Sequence, residues 1–111
     1  MRRAGALVVV AGVAAALLVA PSAGGSRFIQ RGIFDDAQIL FGNPDRVFPL
    51  LQQLDTQLIR INLWWGGPYG VAQQRPLKAT DPADPAYNWA TYDRTVQYAA
   101  AYGIRVVFSV L

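Results

Sequence analysis

The sequence predicts an α/β fold, and three observations carry that prediction. Apolar, β-branched segments alternate with segments of helical apolar spacing, in the order β-α-β-α-β from Arg27 onward. The run Ile104–Leu111 is almost continuously apolar, the pattern of a parallel strand covered on both faces. The run Leu58–Leu63 has two unlike faces: Ile59, Ile61 and Leu63 share one, while Leu58, Arg60, Asn62 and then Trp64 share the other.

The elements follow in order. Arg2 and Arg3 open a positively charged end, Ala4–Ala20 is uncharged and apolar, and Pro21-Ser22-Ala23-Gly24-Gly25 supplies small residues and a helix breaker. This is the layout of a secretory signal peptide over residues 1–24, with cleavage after Ser22 or Gly24. The alternative is a membrane anchor. The run is near the lower length limit for spanning a bilayer and is dominated by weakly hydrophobic residues, which favours export. Residues 25–111 form the mature part. Phe28–Phe34 is a first strand ending in Asp35-Asp36. Asn43 caps a helix over Pro44–Gln53, with Pro44 at its first position, Asp45 in its first turn, and an apolar stripe of Val47, Leu50, Leu51 and Leu54. Leu58–Leu63 is the second strand. A long stretch rich in glycine and proline, Trp64–Tyr87, follows without periodicity, and loops of that length tend to be functional. Asn88 caps a second helix over Trp89–Tyr102, with Trp89, Tyr92, Val96, Ala99 and Ala100 facing inward and Gly103 as its stop. Ile104–Leu111 is the third strand. Three strands and two helices bury little core, so the sequence reads as the first part of a larger α/β protein.

Composition removes several functions. The formal charge is +3, but without Arg2 and Arg3 the balance is 8 basic to 7 acidic residues, with no basic cluster. Nucleic acid is therefore not an expected partner. The sequence has no cysteine and no histidine, which excludes the usual zinc and haem sites and Ser-His or Cys-His nucleophiles within these residues. No metal or cofactor is indicated. Glutamate is also absent, so all seven carboxylates are aspartates.

Candidate chemistry gathers around the second strand. If Ile59 and Ile61 face the helices, Arg60 faces the opposite side, where a buried guanidinium needs a carboxylate partner. The other reading is an arginine that reaches solvent. Trp64, Trp65 and Tyr69 beside Gly66 and Gly67 offer flat faces for sugar rings, with Arg60 and Asn62 as polar neighbours. One tryptophan is expected to plug the core beneath the loop and the other to form a platform. Asp35 and Asp36 end the first strand, either to bind hydroxyls or Arg60, or to cap the following turn. Asp81–Pro85 reads as an exposed structural loop with Asp84 in a capping role. Ser109 has no visible base and reads as packing.

Four segments carry a family resemblance: Arg31-Gly32-Ile33-Phe34-Asp35-Asp36-Ala37-Gln38, Leu58–Trp65, Asp81–Trp89, and Tyr102–Ser109. Together they resemble the N-terminal portion of secreted, actinobacterial-type glycoside hydrolases of the cellulase-like sort, in or near family 5 of the retaining barrel clan. The resemblance implies a (β/α)8 TIM barrel, of which these residues hold the first three strands and two helices. It implies a site at the C-terminal ends of the strands. It also implies that Arg60 orients the nucleophilic carboxylate, and that the loop carrying Trp64, Trp65 and Tyr69 lines the sugar subsites; Asn62 and Asp36 are read from their own chemistry as further contacts to a carbohydrate substrate. The family's acid/base and nucleophile are glutamates on the fourth and seventh strands, so no catalytic carboxylate is assigned in this chain. Leu54-Asp55-Thr56 stands where such enzymes more often have Leu-Gly, which predicts strain or rearrangement in that turn. The expected activity is retaining hydrolysis of β-linked glycosides by the full-length parent, exported and without stable membrane association once the leader is removed. The fragment itself is expected to be inactive. The alternative is a secreted carbohydrate-binding protein without catalysis.

Overall fold

A computed structural model describes residues 24–111; the predicted leader, apart from Gly24, lies outside them. Among these residues the architecture is mixed α/β: a three-stranded parallel sheet and three helices. The strands are β1 (Gly32–Phe34), β2 (Leu58–Leu63) and β3 (Arg105–Val110); the helices are α1 (Asp36–Ile39), α2 (Pro44–Gln53) and α3 (Ala90–Ala101). Strand order is β1-β2-β3, with Phe34 opposite Arg60, Arg60 opposite Val107 and Asn62 opposite Ser109. Among the described residues no helix is long and apolar enough to cross a membrane.

The alternation predicted for β2 holds. Ile59 and Ile61 are fully buried against the helices with Phe48, Leu51, Tyr92 and Ala99. Register then places Phe34, Leu58, Arg60, Asn62, Val107 and Ser109 on the opposite face, where Phe34, Arg60 and Val107 are exposed. The sheet is thus covered on one side and open on the other.

α2 begins and ends where its caps predict. Asn43 Oδ1 accepts from the Asp45 amide at 3.0 Å, and Pro44 occupies the first turn, where no amide donor is needed. Pro49 lies inside the helix without ending it, held by burial of Phe48 and Leu51 on either side. α3 closes in a Schellman arrangement. Gly103 at φ 66 lets its amide reach the Ala100 carbonyl at 3.1 Å, and the Ile104 amide reaches Ala99 at 2.8 Å.

Five details differ from the expectation. The first strand pairs only from Gly32; Phe28 is 92% exposed, and the Gln57 and Leu58 amides both end the ladder on the Arg31 carbonyl. A four-residue helix, α1, follows β1 instead of a simple loop, so the helices among the described residues number three. On α2 the buried residues are Phe48 and Leu51, while Leu50 and Leu54 are exposed. On α3 they are Tyr92, Thr95 and Ala99, while Val96 and Ala100 are exposed. α3 starts at Ala90, with Asn88 still serving its first turn by accepting from the Ala90 amide at 3.1 Å.

The turn before β2 is strained as its sequence predicts. It is a second Schellman arrangement, with Asp55 and Thr56 amides bonded to Gln52 and Leu51, but the left-handed position is Asp55 at φ 53. A side chain there costs free energy that glycine avoids. The Arg31–Asp55 ion pair at 3.6 Å is solvent-exposed and offsets little. Asp55→Gly is expected to raise stability by about 0.5–1 kcal/mol, read as a higher urea midpoint. A lower midpoint would mean that the side chain's contacts outweigh the strain.

Candidate functional site

The C-terminal end of β2 is pinned from two sides. Asp36, in the first turn of α1, accepts the Asn62 amide on Oδ1 at 3.1 Å. From α3, the Tyr92 hydroxyl donates to the Asn62 carbonyl at 3.1 Å and accepts the Trp64 amide at 3.0 Å. The neighbouring Asp35 caps α1, accepting the Gln38 amide at 3.1 Å. The two aspartates therefore divide the roles left open by the sequence. Asp35 is a cap, and Asp36 holds the strand end and lines the space beside it.

That space is an open cleft of about 430 Å³ bounded by Asp36, Ala37, Phe41, Trp64 and Tyr69. Phe41 and Tyr69 form one wall, with ring centroids 5.6 Å apart. Three of the predicted residues, Asp36, Trp64 and Tyr69, thus meet in one place. Phe41 and Tyr92 were not foreseen; neither carries a local motif, and both arrive from other elements.

Trp65 lies apart from this cleft. Its ring sets edge-on against Tyr87 at 5.2 Å, and Tyr87 in turn neighbours Trp89 at 5.7 Å. Neither Trp64 nor Trp65 is the expected core plug, since they are 36% and 45% exposed. Val71, fully buried, fills that place instead. Its amide bonds to the Trp64 carbonyl at 2.8 Å and its carbonyl to the Asn88 amide at 2.7 Å, so the turn's own backbone bonding leaves both indoles outside.

Arg60 does not reach the cleft through any bond. It sits on the open face of the central strand, exposed, with Nε donating to Ser109 Oγ at 2.7 Å and its guanidinium 5.1 Å from the Phe34 ring centre. The expected carboxylate partner is absent among the described residues. An exposed guanidinium keeps its hydration and does not require one. Ser109, read as packing, is the residue that fixes the orientation of Arg60. Asn62, half-buried on the same face, lies one strand step nearer the cleft.

The long loop is tightly organised. Ala72 and Tyr87 form an antiparallel bridge, and Gly70 packs so closely that a Cβ there would fall 2.4 Å from the Gly66 backbone. Asp84 is the loop's anchor and, against the expectation of an exposed loop, is buried. Its carboxylate accepts the Ala86 amide at 2.9 Å and the Lys78 amide at 2.8 Å. These amide bonds, Ala86 first, hold its pKa below the ordinary 3.8 despite the opposing effect of burial. With a lowered pKa in the folded state, the contribution of Asp84 is complete above the ordinary carboxylate value. It is lost as pH falls through the folded value. The loop's tryptophan fluorescence is expected to stay constant from neutrality to about pH 4 and change below it, a step that Asp84→Asn should remove.

Among the described residues no group of three or more carboxylates could hold a metal ion. No protein-family model, curated protein or solved structure matches the chain. The arrangement offers an aromatic cleft with a carboxylate on its rim, and beside it an arginine held in place on an open sheet face.

Proposed function

We propose that this chain is the opening sector of an exported retaining glycosidase of (β/α)8-barrel form, contributing a sugar-binding cleft and the arginine that orients the nucleophile. The observation that carries the reading is the path Arg60, Asn62, Trp64 along the open face of the central strand. It ends where Trp64 joins Asp36, Phe41 and Tyr69 around the cleft. Parallel strands in sequential order, with the described helices packed against one face, fit a barrel sector whose open face becomes the interior.

In this reading the apolar C–H face of a pyranose ring packs on Trp64 and Tyr69, and Asp36 Oδ2 accepts from a ring hydroxyl while Oδ1 stays on the Asn62 amide. Arg60 has Nε committed to Ser109, which leaves its paired Nη groups for a carboxylate. That contact keeps the nucleophile ionised. Retaining hydrolysis uses two carboxyl groups about 5–5.5 Å apart. In the family the chain resembles both are glutamates on later strands, and this sequence has no glutamate, so this reading assigns neither role to a residue here.

The test is hydrolysis of aryl β-glycosides and cello-oligosaccharides by the full-length secreted protein, with product anomers followed by proton NMR. Initial release of the β-anomer supports the reading; inversion, or no turnover by folded protein, counts against it. A second reading, a secreted carbohydrate-binding protein without catalysis, is favoured by one fact: the aromatic cleft is assembled within this chain and a catalytic pair is not. Quenching of tryptophan fluorescence by oligosaccharide without any hydrolysis would decide for it.

A further inference from the structure

We infer that a small pocket behind Tyr69 selects sugars bearing an acetamido group, an inference that rests on the cleft being a sugar site. The Phe41–Tyr69 ring pair is a shared wall. One side faces the cleft, and the other bounds a pocket of about 120 Å³ completed by Gln73, Asn88, Thr91 and Tyr92. This volume holds several waters but is well under the roughly 300 Å³ at which whole-ligand pockets begin, so it suits a substituent rather than a ring.

The chemistry of the walls narrows the substituent. No charged side chain lines the pocket, and the adjoining cleft carries the Asp36 carboxylate, so a uronate is disfavoured. Gln73 spends Nε2 on the Gly70 carbonyl at 2.6 Å, leaving Oε1 as an acceptor. Asn88 spends Oδ1 on the Ala90 amide at 3.1 Å, leaving Nδ2 as a donor. One acceptor and one donor complement the N–H and C=O of an acetamido group, and the rings of Phe41, Tyr69 and Tyr92 offer apolar surface to its methyl. The backbone that carries both side chains is fixed. Gln73 and Asn88 flank the Ala72–Tyr87 bridge, and their main-chain amides donate to the Ala86 carbonyl at 2.9 Å and the Val71 carbonyl at 2.7 Å.

The experiment is calorimetric titration of the full chain with chitotriose and with cellotriose. Two neutral hydrogen bonds and a buried methyl should make chitotriose about tenfold tighter or more. The ratio of the two affinities should collapse towards unity in Gln73→Leu. It should narrow in the near-isosteric Thr91→Val, since Thr91 also lines the pocket, with the fold of the variant checked by circular dichroism. Equal affinities, or a preference for cellotriose, overturn the pocket assignment and leave the cleft standing as a sugar site. Failure of folded protein to bind either oligosaccharide overturns both.

Discussion

Phe48→Ala is expected to cost about 3–5 kcal/mol and to leave the chain without a cooperative unfolding transition. Phe48 is fully buried in the middle of α2, and its ring lies 5.4 Å from that of Tyr98 and 5.8 Å from that of Tyr102. It therefore joins α2 to the C-terminal half of α3, and Leu51, Ile59 and Ile61 belong to the same cluster. Truncation removes the ring and leaves a cavity that two helices fixed at both ends cannot close. The coupling extends to a polar contact. The Tyr98 hydroxyl donates to Asp45 Oδ1 at 2.6 Å, a bond that raises the tyrosine's pKa and that depends on the same helix spacing. A domain of this size has roughly 5–15 kcal/mol in total, and a small one sits at the low end. Urea unfolding followed by tryptophan fluorescence should show a broad, non-cooperative decline. Phe48→Leu, which conserves more of the volume, should lose only about 1–1.5 kcal/mol and keep its transition. A Phe48→Ala midpoint close to that of the parent would show that α2 is not packed as described.

That Phe48 and not Val47, Leu50 or Leu54 is the centre of α2 shows where the sequence stops being sufficient. The bounds of α2 and β2 were legible, because Asn43-Pro44 is local capping chemistry and Ile59 to Leu63 alternates between apolar and polar residues. The phase of a helix about its axis is a different quantity. Val47, Leu50, Leu51 and Leu54 do make a stripe, but the sheet lies under Phe48 and Leu51, and only the packed neighbours determine that. The same rotation exchanges Thr95 for Val96 on α3. Thr95 is tolerated inside because its hydroxyl donates to the Thr91 carbonyl at 2.9 Å. β1 was overestimated for a related reason. Phe28 and Ile29 have strand-like composition, but a strand exists only where a partner ladder does, and β2 offers none before Leu58. α1, at four residues, is too short to show a period.

The candidate site was half legible. Alternation along β2 places Arg60, Asn62 and Trp64 on one face, and Asp36 and Tyr69 do converge on Trp64. The partner of Arg60 was not legible, because Ser109 is 49 residues away and serine carries no charge to suggest it. Phe41 was hidden in the same way. Its role comes from a ring contact with Tyr69 across a loop whose path is set by Val71, Gly70 and Asp84, none of which belongs to a recognisable motif.

Arg60→Ala should separate function from fold more sharply than any other change. The side chain is exposed, and it loses one hydrogen bond to Ser109 and one cation–ring contact with Phe34. Stability should fall by no more than about 1 kcal/mol, since exposed contacts of both kinds are individually weak. On the proposed reading the catalytic loss is far larger. A preorganised cation beside the nucleophile stabilises charge in a site from which water is excluded, and removing one such group costs about 10²–10³ in kcat. Arg60→Lys keeps the charge but not the planar fork, nor the Nε that Ser109 holds, so it should recover only part of that loss. Ser109→Ala leaves the charge in place but frees its orientation, and should fall between the parent and Arg60→Lys. The measurements are kcat on an aryl β-glycoside and the urea midpoint, made on the same preparations of the full-length protein. A parent-like midpoint with a hundredfold lower kcat, ordered Ser109→Ala above Arg60→Lys above Arg60→Ala, supports an arginine that holds a carboxylate. If kcat follows the midpoint through the series, Arg60 is a surface residue of the sheet, and the path from it to Trp64 has no part in chemistry.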